Sequence, residues 1–427
     1  MSFLGSAGGV GRVGRALLQH RVIAATAGAG AAVLVVGCAF AATSSNGSGH
    51  ETLANVSNNK PVSSPTATTH HVTTKAKVAA AVAPLKVVSV TPAGGAHSVN
   101  GAAPITVKFS SRLSPQTPLP TLSPSIEGSW QVSGDTATFT PATGYLAETT
   151  VKVTVPAGAH GMLAASSSSA GPLKETSVTS FTTGSYSTLR LQQLLTQLGY
   201  LPLTWAPSDP SSGTIASSDA NAQLAAAYDP PAGTFSFDSG YPDSLTSQWS
   251  VGTNNVLVSG AVRAFQNNVG LTMDGDAGPQ VWAALLKAVA KGQNNPNGYS
   301  YALATQGSSN ESLQVWHDGK RVLVTPANTG IPASPTVDGT YPVYLKYTVT
   351  QMKGLNPDGT KYDDTVYWAS YFNGGDAVHA FPRPSYGWYQ SLGCVELPYN
   401  GSGSGVAESA YNYLTYGSLV TVTGAVA

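Results

Sequence analysis

Cys394 stands in the run Ser391-Leu392-Gly393-Cys394-Val395, and His379 lies 15 residues before it. These side chains are the ingredients of thiol chemistry. A thiolate is a strong nucleophile, and a nearby imidazole can generate it by taking the proton. The only other cysteine, Cys38, falls in an N-terminal segment of export type. Exported proteins normally use cysteines in pairs, as disulfides. A lone thiol outside the cell invites oxidation, which argues for a chemical use. The competing reading, a small buried hydrophobe, leaves Gly393 and His379 without a reason. Structural zinc wants four Cys/His ligands, and after residue 296 the sequence offers only Cys394, His379 and His317. No metal or cofactor is expected.

A chain of 427 residues should hold two or more domains. Charged residues make up 10% and the formal net charge is zero. A nucleic-acid binder would show a basic face, so that class is excluded as a partner. With 46 Gly and 28 Pro, the chain reads as β-rich and loop-rich with polar linkers.

The N-terminus reads as a targeting device. Arg12, Arg15 and Arg21 form a positive region, and Val22 to Val36 is uncharged and apolar. Val35-Val36-Gly37-Cys38 resembles a bacterial lipobox, although Leu is usual where Val35 stands; cleavage before Cys38 would leave it lipidated. A second reading is an uncleaved helix anchor, since Val22 to Ala42 is just long enough to span a membrane. Either way, residues 1–42 place the rest of the chain outside the cytoplasmic membrane and attached to it. Residues 43–84 are Ser, Thr, Asn, Ala and Pro, unable to form a core, and read as a disordered tether.

Residues 85–184 read as an all-β module. Ile105-Thr-Val107-Lys-Phe109 and Val151-Lys-Val153-Thr-Val155 alternate as half-buried strands do. The pattern resembles the bacterial Ig-like β-sandwich, and a spacer role is expected. Residues 185–293 change period. Leu191, Leu194, Leu195 and Leu198 mark a helix stopped by Gly199; Val262 and Phe265 mark a second, ended by Gly270; Pro279 opens a third. These strings resemble the small three-helix peptidoglycan-binding domain, interrupted by an insertion of roughly 50 residues between the first two helices. Whether such a bundle still binds glycan stays open.

Residues 299–427 carry the chemistry. Leu313 to Val324 is a hairpin about Asp318-Gly319, and Leu419-Val420-Thr-Val422 reads as a closing strand, so this domain is mostly β. His379, Ser391, Gly393, Cys394 and Val395, with Asn328-Thr-Gly330 and Pro335 to Val343 upstream, resemble the L,D-transpeptidases, which cross-link peptidoglycan through a catalytic cysteine. Two positions depart from that family's motif: its second His is Leu392 here, and its Asn or Arg is Glu396. A carboxylate there would disfavour a thiolate; Arg383 is the candidate to neutralise it.

The resemblance implies His379 as general base for Cys394 and the backbone carbonyl of Ala380 as the group orienting the imidazole. Backbone N–H groups of Leu392, Gly393 and Cys394 would serve as oxyanion donors. Asp376 reads as a turn residue. Trp368, Tyr371, Tyr386 and Arg383 are candidates for the walls of a substrate cleft. The implied partners are peptidoglycan stem peptides and glycan, and the implied product is a 3→3 cross-link. Two alternatives stay open: an L,D-carboxypeptidase, with water replacing the acceptor amine, and a catalytically decayed wall-binding protein. Sortase chemistry needs a later Arg, and no Lys or Arg follows Arg383. The expected architecture is therefore multidomain and mainly β: an Ig-like sandwich, a small helical bundle and a mostly-β catalytic domain.

Overall fold

The computed structural model describes residues 83–157, 163–165, 170–211, 215–307, 309–401 and 405–424. The export segment, Cys38 and all but the last two residues of the tether lie outside them. Among the described residues, no helix is long and apolar enough to cross a membrane. Ala83 and Pro84, read from sequence as tether, already belong to the first domain: Gly171 N donates to Ala83 O at 2.8 Å.

The first domain is a sandwich. Strands β1 (Val87–Thr91), β2 (Ile105–Phe109), β4 (Gly128–Ser133) and β5 (Thr136–Pro141) form a sheet ordered β1-β2-β5-β4; β3 (Thr121–Ser123), β6 (Thr150–Val155) and β7 (Ser177–Thr182) form the other. Alternation aims Ile105, Val107 and Phe109 at Val151, Val153 and Val155, which are buried together.

The second domain holds helices α1 (Thr188–Gln197), α2 (Ala220–Tyr228), α3 (Asp243–Thr246), α4 (Val256–Val269) and α5 (Pro279–Lys291). Gly270 and Gly292 end α4 and α5 in the left-handed conformation, where a side chain would be strained. The insertion is ordered: β8 (Leu203–Pro207) pairs antiparallel with β9 (Gly233–Phe237), and α2 and α3 pack around them.

The third domain has two sheets. Strands β10 (Ser300–Gln306), β11 (Ser312–His317), β12 (Lys320–Pro326), β13 (Gly339–Pro342) and β18 (Leu419–Gly424) form one, ordered β12-β11-β10-β18-β13. Strands β14 (Leu345–Leu355), β15 (Lys361–Asn373), β16 (Asp376–Ala380) and β17 (Val395–Leu397) form the other, and helix α6 (Val406–Tyr413) packs on β15 and β16. Asp318 and Gly319 turn the β11–β12 hairpin with φ of 45° and 75°, as a two-residue turn matched to strand twist demands. Leu313, Val315, Phe372, Val378, Val395 and Val420 fill the space between the sheets.

The second and third domains share a core. Leu194, Leu257 and Phe265 bury together with Tyr299, Tyr301, Trp316 and Leu419. Gly260 of α4 lies so close to the turn before β18 that a Cβ there would sit 2.7 Å from Gly417 O. Two residue ranges that read as separate in the sequence thus meet along one apolar seam.

Candidate active site

Strands β16 and β17 run parallel, with His379 beside Glu396 and Val378 beside Val395. Cys394, immediately before β17, is thereby brought to the same edge as His379. Both line a cleft of 310 Å³ that also receives Met352, Tyr362 and Asp364 from the long β14–β15 hairpin.

The loop carrying the thiol is held from behind. The buried carboxylate of Glu311 accepts from Thr329 N at 2.6 Å and Thr329 Oγ1 at 2.8 Å. Thr329 O in turn accepts from the Gln390 and Ser391 N–H groups, each at 2.9 Å. Ser391, fully buried, donates its hydroxyl to Cys394 O at 2.6 Å. Gly393 has φ of 113°, and a Cβ there would run into Asp376 Oδ1, so glycine is required twice over. Among the described residues, the N–H groups of Leu392, Gly393 and Cys394 donate to no protein acceptor.

His379 is buried, and its Nδ1 lies 3.0 Å from Ala380 O. A carbonyl can only accept, so this contact puts the proton on Nδ1 and leaves Nε2 with the lone pair. Burial lowers the imidazole below its ordinary value, which keeps it neutral at physiological pH. Cys394 keeps an edge toward the cleft, but protein atoms crowd the sulfur and desolvation pushes the thiol up to about 12. Its sulfur approaches Gly375 O at 3.9 Å and Met352 Sδ at 4.0 Å. The resting state is a neutral thiol beside a neutral imidazole, not the preformed thiolate that the sequence suggested.

Glu396 is buried, and Arg383 grips it in a fork: Nε to Oε2 at 2.8 Å and Nη2 to Oε1 at 2.7 Å. Asn328 Nδ2 adds a third contact at 3.3 Å. Arg383 Nη2 also donates to Gln390 O at 3.0 Å, tying the pair to the Cys394 loop.

Three sequence expectations need correction. Trp368 does not line the cleft. Between Tyr367 and Ser370 the β15–β16 register shifts, and Trp368, at φ of 59°, is turned onto the opposite face, where its ring packs 5.4 Å from that of Tyr411. Tyr371, beyond the bulge, does stay on the cleft side with Met352 and Phe381. Tyr386 is not a wall either: its hydroxyl donates to Phe381 O at 2.6 Å and accepts from Arg383 N at 3.1 Å, bracing the Arg383 segment. Asp376 is more than a turn residue, because it lies against Gly393 and its charge opposes ionisation of Cys394. Sequence reasoning missed Glu311 and the β14–β15 residues. Nothing local in the sequence marks them, since strand pairing and long-range hydrogen bonds bring them to the site.

Burial lifts the Asp376 carboxyl to about 6, well above its value in an unfolded chain. The folded state therefore holds this proton longer than the unfolded state does. Asp376 opposes folding increasingly as pH rises from about 4 through about 6, and by a constant amount above that. Asp376→Asn is expected to raise the melting temperature at pH 8 and to leave it nearly unchanged at pH 4. Scanning calorimetry at the two pH values checks this; an equal shift at both would mean that the carboxyl titrates normally.

Residues 305–422 match the family model of the L,D-transpeptidase catalytic domain, and residues 81–183 match that of the bacterial Ig-like domain. Similar solved structures include an L,D-transpeptidase from Mycobacterium smegmatis, at 16% identity over 80% of this chain and 100% of that one, with a TM-score of 0.26. L,D-transpeptidase 3 from Mycobacterium tuberculosis is 16% identical over 79% of this chain and 98% of that one, with a TM-score of 0.25. The catalytic domain of an E. faecium L,D-transpeptidase is 27% identical over 29% of this chain and 96% of that one, also with a TM-score of 0.25. No curated protein matches the sequence. The chain carries an L,D-transpeptidase catalytic domain. An Ig-like domain precedes it in the same polypeptide.

Proposed function

We propose that the chain cross-links peptidoglycan through a thioester on Cys394, with His379 as general base, and that the products are 3→3 links. The observation that carries this reading is the pairing of β16 with β17, which sets Cys394 and a tautomer-fixed His379 in one cleft. His379 Nε2 takes the thiol proton as the sulfur attacks the donor stem's carbonyl, so the thiolate forms only in the act of attack. Leu392, Gly393 and Cys394 offer N–H groups to the oxyanion. Collapse of the tetrahedral intermediate breaks the C–N bond, and His379 returns its proton to the departing D-alanine amine. The amine of a second stem then attacks the thioester, loses its proton to His379, and the thiol is restored.

Incubation with a disaccharide-tetrapeptide tests this by intact mass. The expected adduct has the mass of the donor less D-alanine, followed by release of a cross-linked dimer. Release of the tripeptide alone would establish a carboxypeptidase instead; no adduct would sink both readings.

The wall outside the cytoplasmic membrane is the proposed place of action, with attachment through residues 1–42. Fractionation and mass spectrometry of the mature N-terminus check this. A diacylglyceryl-Cys38 start is the expected result, an intact Met1 would point to a helix anchor, and a secreted soluble form would refute attachment.

A further inference from the structure

The insertion in the helical domain has made a second cavity, far from Cys394 in sequence and chemically unlike the cleft. It measures 360 Å³ and lies between α1 and β8. Arg190 lines it and is only 3% exposed. Its guanidinium meets two neutral amides: Nη1 donates to Gln193 Oε1 at 2.9 Å and Nη2 to Gln223 Oε1 at 2.7 Å. Among the described residues, no carboxylate pairs with it. A buried charge without a counter-charge is costly, and desolvation draws this guanidinium down to about 10.

The remaining donors tell more. Arg190 Nε is buried and has no hydrogen-bond partner, and the same holds for Thr196 Oγ1 and Trp205 Nε1. All three residues line this one cavity. Buried donors are rarely left unsatisfied, so three around one space with a bare positive charge define a complement. The complement carries one negative charge and accepts at least three hydrogen bonds. A carboxylate does both with its two oxygens, whereas a phosphate dianion would overcompensate one cation. Leu203, Pro207 and Ile215 supply an apolar wall for the ligand's body.

We infer that Arg190, Thr196 and Trp205 form a binding site for a small monocarboxylate, of the size of a dipeptide or a sugar acid, separate from the catalytic cleft. The site is built by the insertion: Trp205 and Ile215 belong to it, and Gln223 of α2, also within it, holds the guanidinium in place. The inference does not depend on the thioester chemistry proposed above.

Calorimetric titration of the full chain tests it, with N-acetylmuramic acid and D-alanyl-D-alanine as carboxylate probes and N-acetylglucosamine and D-alanyl-D-alanine amide as uncharged controls. One-to-one binding of at least one carboxylate, and of neither control, is expected. Preference for the sugar acid would place the natural ligand on glycan, and preference for the dipeptide on a peptide terminus. Thr196→Val and Trp205→Phe remove one donor each while keeping shape, and each should weaken binding about tenfold. Arg190→Met should abolish it; if that variant does not fold, the other two still decide. Alkylating Cys394 beforehand should leave the isotherm unchanged. Binding that vanishes on alkylation, is equal for the amide, or survives both donor deletions at full strength overturns the inference, as does the absence of carboxylate binding.

Discussion

Cys394→Ala is expected to abolish turnover, by more than about a thousandfold, while the melting temperature stays within a few degrees of the parent. The nucleophile is the one group for which water cannot substitute in a covalent route, and its loss normally removes nearly all acceleration. Folding should be spared. The loop is held by Ser391, Thr329 and Glu311 through contacts that involve the backbone of Cys394 but not its sulfur. The sulfur makes only two long contacts, to Met352 and Gly375. Intact mass with a tetrapeptide donor and a thermal melt are sufficient measurements. Retention of more than a few per cent of cross-linking would show that another residue accepts the acyl group.

Arg383→Ala should be the most damaging substitution that leaves both Cys394 and His379 in place. Glu396 is 4% exposed and its charge is met by the Arg383 fork. Removing one partner of a buried pair leaves the other charge uncompensated, which costs about 3 kcal/mol, or roughly 6–12 °C for a unit of this size. The same bare carboxylate would push the Cys394 thiol further up, because Glu396 already acts in that direction. Alkylation by iodoacetamide at pH 9 should therefore slow. The double variant Arg383→Met with Glu396→Gln should recover much of the stability and the rate, since it removes both charges together. An unchanged alkylation rate in the single variant would mean that the pair holds the loop without tuning the thiol.

The Arg383–Glu396 pair shows what was legible in the sequence. A carboxylate two residues past a nucleophile demands a cation, and Arg383 is the last one in the chain. The Asp318-Gly319 hairpin and the glycine-ended helices were equally readable, because their causes are local. Trp368 was not. A period of two carries faces along a strand only while register holds, and the one-residue bulge beside it reverses the outcome. Tyr386 and Glu311 were hidden for another reason: each serves a backbone group, and backbone demand leaves no trace in residue type. The insertion's hairpin pairs Pro207 with Gly233 across α2, a separation that hides strand pairing from any short window.

The apolar seam between the helical and catalytic domains has an evolutionary consequence. Modular wall enzymes invite shuffling, and residues 294–298 look like a place for recombination to cut. Yet Asn295 hydrogen-bonds back to Leu198 and Gly199, and Tyr301, Trp316 and Leu419 beyond the junction fill the bundle's own interior. A breakpoint there would pass through a core, leaving each half with greasy surface. The pair is inherited as one selectable unit, so drift at Gly260, where a methyl group would strike Gly417, is policed by the fitness of a reaction carried out elsewhere in the molecule.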